Sequence, residues 1–223
     1  MAQDETTLYN LAISSAGGSS FISAPSENSR EAEICRLWFA PVSRQILRAA
    51  PWSSTRAVSR LALITERVGD VWAADEPRPE YSYAYGLPER CLRPLYLYGY
   101  PRFDVALLSA GQQALMTDQE NAILYYTYDQ ADISMWDADL FLAVAHGMAS
   151  QICNPLTGKT QKALRALQEA NGIILQAREA AANESYAPVE AVPIPLQARG
   201  SAYNAPMQRY VYPNGPLLTV TNG

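Results

Sequence analysis

Few residues in this chain have the type and spacing that catalysis requires. His146 is the single histidine, so any serine–histidine or cysteine–histidine pair depends on it. It falls in the apolar stripe of a predicted helix with no nucleophile turn nearby, and we interpret it as a packed or interface histidine. Gly158-Lys159-Thr160 ends like a phosphate-binding loop, but Cys153 stands where that loop needs glycine and a helix is predicted before it. We therefore predict no catalytic residue and no nucleotide site.

The remaining candidates for chemistry are carboxylates and thiols. Four aspartates form a local acidic cluster that could bind a cation or work as an acid/base pair: Asp129, Asp132, Asp137 and Asp139. No calcium-binding loop with its central glycine surrounds them, and we interpret them as a solvated, cap-rich helix start. The cysteines are Cys35, Cys91 and Cys153, an odd number without a CxxC spacing. We predict free, buried thiols, no metal and no cofactor.

Charge and composition narrow the class of protein further. The net charge of −5 argues against a basic nucleic-acid-binding face. The first residues are acidic and polar instead of resembling a secretion signal, so we expect assembly in a cytoplasm. Among the 17 basic residues only Lys159 and Lys162 are lysines, and 14 tyrosines accompany four phenylalanines. Arginine and tyrosine are enriched at protein–protein interfaces, which favours an interaction protein.

Helical periodicity at both ends of the chain predicts helices at about 6–16, 28–50, 134–153 and 160–182. The second should begin with a capping box of Asn28 and Glu31, and should kink or split at Pro41. The third should begin at Ser134 and end at Asn154-Pro155. The predicted core stripe of the second helix is Ile34, Leu37, Trp38, Pro41, Val42, Ile46 and Ala49. That of the third helix is Leu140, Phe141, Val144, Ala145, Met148, Ala149 and Ile152. The predicted inward residues of the last helix are Leu164, Leu167, Ile174 and Ala177.

Between these helices, residues 81–128 are rich in tyrosine, valine and leucine in short runs. Tyr81–Tyr85 alternates like a strand, and a small antiparallel meander is predicted from Phe103–Leu108, Gln113–Met116 and Ile123–Tyr128. The predicted fold class is therefore mainly α with a small antiparallel β subdomain (α+β): a helical bundle plus β-hairpins. We assign residues 1–182 to this domain.

Residues 183–223 form an extended, proline-rich C-terminal arm in this interpretation, with prolines at 188, 193, 195, 206, 213 and 216. The arm is also apolar, whereas solvated tails are depleted in such residues. We therefore predict that it docks on a partner, either a neighbouring copy of this chain or a different protein. Its candidate docking residues are Val189, Ile194, Leu196, Tyr203, Tyr210, Tyr212 and Leu217.

The order of these features resembles the head–tail adaptor proteins of tailed phages, the family of the podovirus tail tubular protein A. A long helix runs into Pro51-Trp52 and the basic Arg56. The tyrosine strand is followed by Leu87-Pro88-Glu89-Arg90-Cys91-Leu92-Arg93, and Leu124-Tyr125-Tyr126 leads into the last helices. The resemblance covers about residues 4–182. Its motif residues, for which it implies a structural role, are Pro51, Trp52, Tyr83, Leu87, Pro88, Cys91, Leu92 and Arg93.

The resemblance implies a homo-oligomeric ring, commonly of twelve copies, beneath the portal protein in the neck of the virion. Such a ring extends the DNA channel and docks the tail or nozzle protein. Genomic DNA would pass through the lumen without sequence-specific binding, which an acidic lining favours. No membrane partner is expected.

Three alternatives remain open from the sequence. The first is another neck or tail ring component, such as a connector or a tail terminator, which copy number and neighbours would distinguish. The second is a cell-wall hydrolase that acts through Glu120 or Asp118. The third is a small peptide-binding module.

Overall fold

A computed structural model of the chain describes residues 3–69, 71–72, 80–109 and 111–184. Residue contacts divide the chain into Met1–Ala181 and Ala182–Gly223, and of the second unit only the end of a helix is described. The described helices are α1 (Glu5–Ser15), α2 (Arg30–Ala49), α3 (Ala138–Thr157) and α4 (Thr160–Glu184). The fold is mixed α+β, as predicted.

The helices share one apolar core, to which α1, α2 and α3 contribute most. α3 is its centre, because the whole predicted stripe from Leu140 to Ile152 is buried. Gly147 lets α2 approach closely, since a Cβ atom there would lie 2.5 Å from Ile46 Cδ1 and 3.1 Å from Val42 Cγ1. α4 adds small residues, of which Ala166 is buried in this core.

The helix ends differ from the predictions where capping geometry decides. Ser29, not Asn28, caps α2, with its hydroxyl accepting from the amide of Ala32. Ser134 lies in a short 3-10 turn, and Asp137 caps α3 by accepting from the amide of Leu140 at 2.9 Å. An Asp at this position satisfies an amide that has no partner within the helix.

Neither helical proline divides its helix, although α3 was predicted to end at Asn154-Pro155 and a split at Pro41 was one of the two predictions for α2. α2 is one helix through Pro41, which lies on its exposed side, where water can hydrogen-bond the carbonyl that proline leaves free. α3 continues through Pro155 and ends at Gly158, whose φ of 66° is left-handed. That conformation suits glycine at a helix C-terminus, so the glycine sets the end of the helix.

Two predicted stripes were partly wrong. Leu37 on α2 is 67% exposed, and Leu164 and Leu167 on α4 are 51% and 44% exposed. α4 buries Ala166 and Ala170 instead, while Ile174 and Ala177 pack on the helical core as predicted. Small side chains let the helix lie close to its neighbours, and this turns the leucines outward.

The described strands form two antiparallel sheets. The strands are β1 (Arg56–Arg60), β2 (Ala62–Val68), β3 (Val71–Trp72), β4 (Tyr83–Gly86), β5 (Cys91–Leu97), β6 (Phe103–Leu107), β7 (Gln113–Thr117) and β8 (Ile123–Tyr128). The order is β1-β8-β5 in the three-stranded sheet and β3-β2-β4-β7-β6 in the five-stranded sheet.

A second core lies between the facing sides of the two sheets. Leu97, Leu124 and Tyr126 of the three-stranded sheet pack against Tyr85 and Leu115 of the five-stranded sheet. The opposite side of the five-stranded sheet carries a third, smaller core around Trp72, Ala84 and Met116. The β part is thus a two-layer structure with its own interior, because side chains alternate between the two faces of each strand.

The predicted β region was too short and its meander was wrong. Strands begin at Arg56 instead of residue 81, and β5 was missed within the motif segment. β6 and β7 do pair as a hairpin, but β8 leaves them and pairs between β1 and β5. The reason lies in the faces of β8: Leu124 and Tyr126 point into the second core, so β8 belongs to the layer opposite β7.

The close crossing of α2 and α3 gives a test of the helical core. Replacing Gly147 by valine should lower the free energy of unfolding by about 1–3 kcal/mol, because the added methyl groups overfill the contact with Ile46 and Val42. The matched control is Gly172→Val on α4, where a Cβ atom meets nothing within 4 Å and little change is expected. Urea unfolding measures both variants, and equal losses at the two sites would contradict this account of the crossing.

Candidate interaction surface

Three arginines converge on the C-terminal end of α2. They come from β1, β5 and α4 and donate to main-chain carbonyls at the end of the helix and just beyond it. The bonds are Arg93 Nη1 to Arg48 O (3.0 Å), Arg178 Nε to Ala49 O (2.7 Å) and Arg56 Nη2 to Pro51 O (3.4 Å). The last carbonyls of a helix lack partners within it and carry partial negative charge, so cations stabilise them.

The same arginines crowd one another. Burial is the main cause that lowers the pKa of Arg93, and the positive charges of Arg178 and Arg48 lower it further. Arginine nevertheless stays protonated in proteins, so the cluster is a permanent positive patch on an acidic chain. We call Arg48, Arg56, Arg93 and Arg178 the arginine cluster.

The motif segment 87–93 joins the two parts of the fold. Leu87 and Cys91 pack on the core between the sheets, whereas Leu92 packs on the helical core. A turn closes between them, with the amide of Cys91 donating to the carbonyl of Pro88 at 3.2 Å. Arg93 then reaches α2 as described above. Side chains of this segment thus contact the core between the sheets, the helical core and the end of α2.

Arg90 fixes the other side of the segment. Its guanidinium lies 4.8 Å from the ring centre of Tyr128, donates to the Tyr128 hydroxyl at 2.9 Å and contacts the carbonyl of Asp129. These contacts attach the start of β5 to the end of β8.

Pro51 and Trp52 lie at the same junction. The indole of Trp52 is 2% exposed in the helical core, and its Nε1 donates to the carbonyl of Ile46 at 2.9 Å. The carbonyl of Pro51 accepts from Arg56. Tyr83 packs at the edge of the core between the sheets. The structure therefore gives every motif residue a contact that holds the fold, and it brings Pro51, Trp52 and Arg93 to the end of α2.

Next to the arginine cluster, the outward side of the three-stranded sheet carries stacked tyrosines. The ring of Tyr96 stacks on Tyr125 at 4.5 Å between centres and on Tyr100 at 5.1 Å, with interplanar angles of 18° and 20°. Val58 lies opposite Tyr125 in the strand register and is 53% exposed, and Ile123 follows on the same side. We call Val58, Tyr96, Tyr100, Ile123 and Tyr125 the tyrosine face.

Arg56 borders this face. The pKa of the Tyr96 phenol is raised mainly by burial and also by Tyr100, while the nearby charge of Arg56 opposes the rise. Tyr100 is 65% exposed. Its backbone has a φ of 56°, which is an unusual conformation for a bulky residue. The three rings thus form a stack in which Tyr96 is covered on both sides and Tyr100 is the exposed end, with the charge of Arg56 nearby.

The aspartate cluster serves structure, as the cap-rich interpretation predicted. Asp129 pairs with Arg44 at 3.3 Å, and Asp132 accepts from the amide and hydroxyl of Ser134. Asp137 caps α3 and also accepts from two serine hydroxyls that precede β1. Asp139 lies in the first turn of α3, where the helix dipole favours a negative charge.

His146 is packed between helices, and Asp118 is held in an ion pair. His146 is only 19% exposed at its side chain, and its Nδ1 lies 3.2 Å from Glu169 Oε2 on α4, although the geometry is not that of a hydrogen bond. Asp118 pairs with Arg102 at 2.9 Å and accepts from Ser82, and Glu120 is exposed on the following turn. No group of His, Cys, Asp and Glu side chains suited to a metal occurs among the described residues.

All three cysteines are free; Cys35 and Cys153 are buried as predicted, whereas Cys91 is only half-buried. Burial raises the pKa of the Cys35 thiol to about 12, with a further contribution from Glu31, and burial likewise raises that of Cys91 to about 11.

Sequence patterns alone did not indicate the tyrosine face or the role of Arg178. Tyr96 and Tyr100, four residues apart, were the available signal for the first. The predicted docking residues of the arm, from Val189 to Leu217, lie outside the described residues. The chain matches no known protein-family model and no curated protein. Among the described residues, no helix combines the length and hydropathy needed to cross a bilayer.

The arginine cluster can be tested through stability. Arg93→Met keeps an apolar stem but removes the donor to α2, and it should lower the free energy of unfolding by about 1–2 kcal/mol. Arg44→Met is the control, because Arg44 is 63% exposed in a surface ion pair and its loss should cost no more than about 0.5 kcal/mol. The two variants are compared by urea unfolding, and an Arg93 effect no larger than the control would show that the helix end does not need this donor.

The thiols give a second test. Only thiolate reacts with iodoacetamide, and a raised pKa means that the thiolate appears only as the pH rises toward 11 or 12. We expect Cys35 and Cys91 to remain unmodified at pH 8 in the folded chain and to react fully in denaturant, as measured by peptide mass spectrometry. Rapid labelling of either thiol at pH 8 in the folded state would contradict its raised pKa.

Proposed function

We propose that this chain is a structural head-to-tail adaptor subunit of a phage neck. Copies of it form a ring below the portal protein, extend the DNA channel and dock the tail or nozzle protein. The observation that carries the proposal is the tyrosine face: an exposed, stacked aromatic surface beside the arginine cluster, on a fold whose cores are already complete without it. Tyrosine and arginine at such a surface favour binding to another protein.

The order of elements supports the same proposal. α2 runs into Pro51-Trp52, the segment 87–93 enters β5, β6 and β7 form a hairpin, and α3 and α4 close the described chain. This is the order in which the head–tail adaptor family places its elements. The segment that carries the resemblance is also the one that joins the helical part to the sheets.

Further apolar side chains are exposed away from the tyrosine face. They lie on β2, β3, β6 and α4, and include Leu63, Val68, Val71, Leu107, Leu164, Leu167 and Leu175, each at least 44% exposed. A ring subunit contacts two neighbours in its ring, and it also contacts one protein above and one below. It therefore needs several apolar surfaces, whereas single exposed leucines need no explanation. The number and spread of these residues therefore favour an assembly subunit.

No observation favours the hydrolase alternative. Both oxygens of Asp118 are held by Arg102 and Ser82, an arrangement that makes an ion pair instead of a free general base. Glu120 lies on an exposed turn.

The proposal is tested by assembling the purified full chain with and without the portal protein of the same phage. Native mass spectrometry should show a closed ring, with twelve copies expected, and electron microscopy should show that ring bound below the portal. A different copy number with another neck protein bound would favour a connector or tail terminator. A strictly monomeric chain that ignores the portal would refute the proposal.

A further inference from the structure

The tyrosine face has the chemistry that binds proline-rich chain. Tyr100 ends the stack with Tyr96 and is 65% exposed, and exposed aromatic rings accept proline rings in the known modules that bind extended proline-rich segments. A chain in the polyproline conformation has no internal hydrogen bonds, so its carbonyls need outside donors. Arg56 and Arg60 lie on the same side of β1 as Val58, and their registers place them beside Thr127 and Ile123. The face thus offers rings and donors together.

The chain itself contains a segment of matching chemistry. Val192-Pro193-Ile194-Pro195-Leu196 alternates proline with branched apolar residues. Proline fixes φ near −65°, and the residue before a proline is driven toward extended conformations, so two prolines two residues apart favour an extended chain. The other close pair, Pro213 and Pro216, encloses Asn214-Gly215, a dipeptide typical of a turn.

We propose that the tyrosine face of one copy binds the Val192–Leu196 segment of a neighbouring copy. The proposal rests on the ring proposed above, and it names a contact within that ring. Each copy then gives an arm and receives one, which is a heterologous contact that closes a ring when the rotation between copies allows. The segment brings prolines to the stacked rings, and its carbonyls accept from the arginines beside them.

The first experiment is photo-crosslinking in the full chain. Benzoylphenylalanine replaces Tyr100 in one sample and Tyr98 in the other. Tyr98 is the matched control, because it is 63% exposed against 65% for Tyr100 but has no stacking partner among the described residues. Mixing labelled (nitrogen-15) and unlabelled chains distinguishes links between chains from links within one chain. We expect links from position 100 to residues 188–198 of another chain, and several-fold fewer from position 98.

The second experiment measures self-association of full-length variants by sedimentation velocity. The double variant Pro193→Ala/Pro195→Ala and the variant Tyr100→Asn should each weaken association at least about tenfold, since each removes one side of the central contact. Asparagine is chosen at position 100 because it tolerates the left-handed backbone there. Pro213→Ala and Tyr98→Asn are the controls and should stay within about twofold of the unmodified chain.

These results separate the two proposals. If rings form but position 100 links to its own chain, to another surface or to no arm, the docking inference is overturned while the adaptor proposal stands. Equal weakening by the control and test variants also overturns it. If links between chains appear at position 100 but no ring forms alone or with the portal, the docking contact holds and the ring fails.

Discussion

The C-terminal end of α2 is the point on which the two parts of the fold depend. Three guanidinium groups from β1, β5 and α4 satisfy carbonyls there, although they repel one another and burial disfavours the charge of Arg93. The arrangement is tolerated because arginine keeps its proton and each planar fork can donate in a fixed direction. Lysine, a compact charge that loses its proton more readily when buried, would fit this place poorly. The scarcity of lysine in the chain is consistent with this requirement.

This constraint also shapes the outward side of the three-stranded sheet. At the end with Arg56 and Thr127, the side chains approach the end of α2, and Thr127 is 1% exposed. Farther along the strands, Val58 is 53% exposed. The sheet therefore changes from a covered to an open surface within a few residues, and the stacked tyrosines stand at that transition. An aromatic surface placed there has a rigid support on one side and room for a partner on the other.

Local patterns predicted some elements well and failed where tertiary packing decides. The α3 stripe was correct because seven apolar residues at helical spacing leave one possible inward face. α4 was partly misjudged because its fully buried residues are alanines, which carry little hydrophobic signal beside exposed leucines. β2 was not predicted because its pairing register with β4 shifts between Leu63 and Thr65. This shift breaks the alternation of buried and exposed side chains that identifies a strand. Which sheet takes β8 depends on long-range contacts that no local window contains. The tyrosine face needed that pairing too, since Tyr96 and Tyr125 are neighbours only once β5 lies beside β8.

The stacking within the tyrosine face bears on how tightly it can bind. Binding usually immobilises side chains, at a cost of about 0.5–1.5 kcal/mol for each one that is ordered. Tyr96 is already held between Tyr100 and Tyr125, so most of that ordering has occurred when the chain folds. Prolines in an incoming segment reduce the corresponding loss in the ligand, because their φ angles are restricted before binding. A short contact between preformed tyrosine rings and a stiffened segment can therefore be stable without the large buried area that a flexible interface requires. In the proposed ring this contact would repeat at every subunit boundary, so a modest affinity at each one would stabilise the whole assembly.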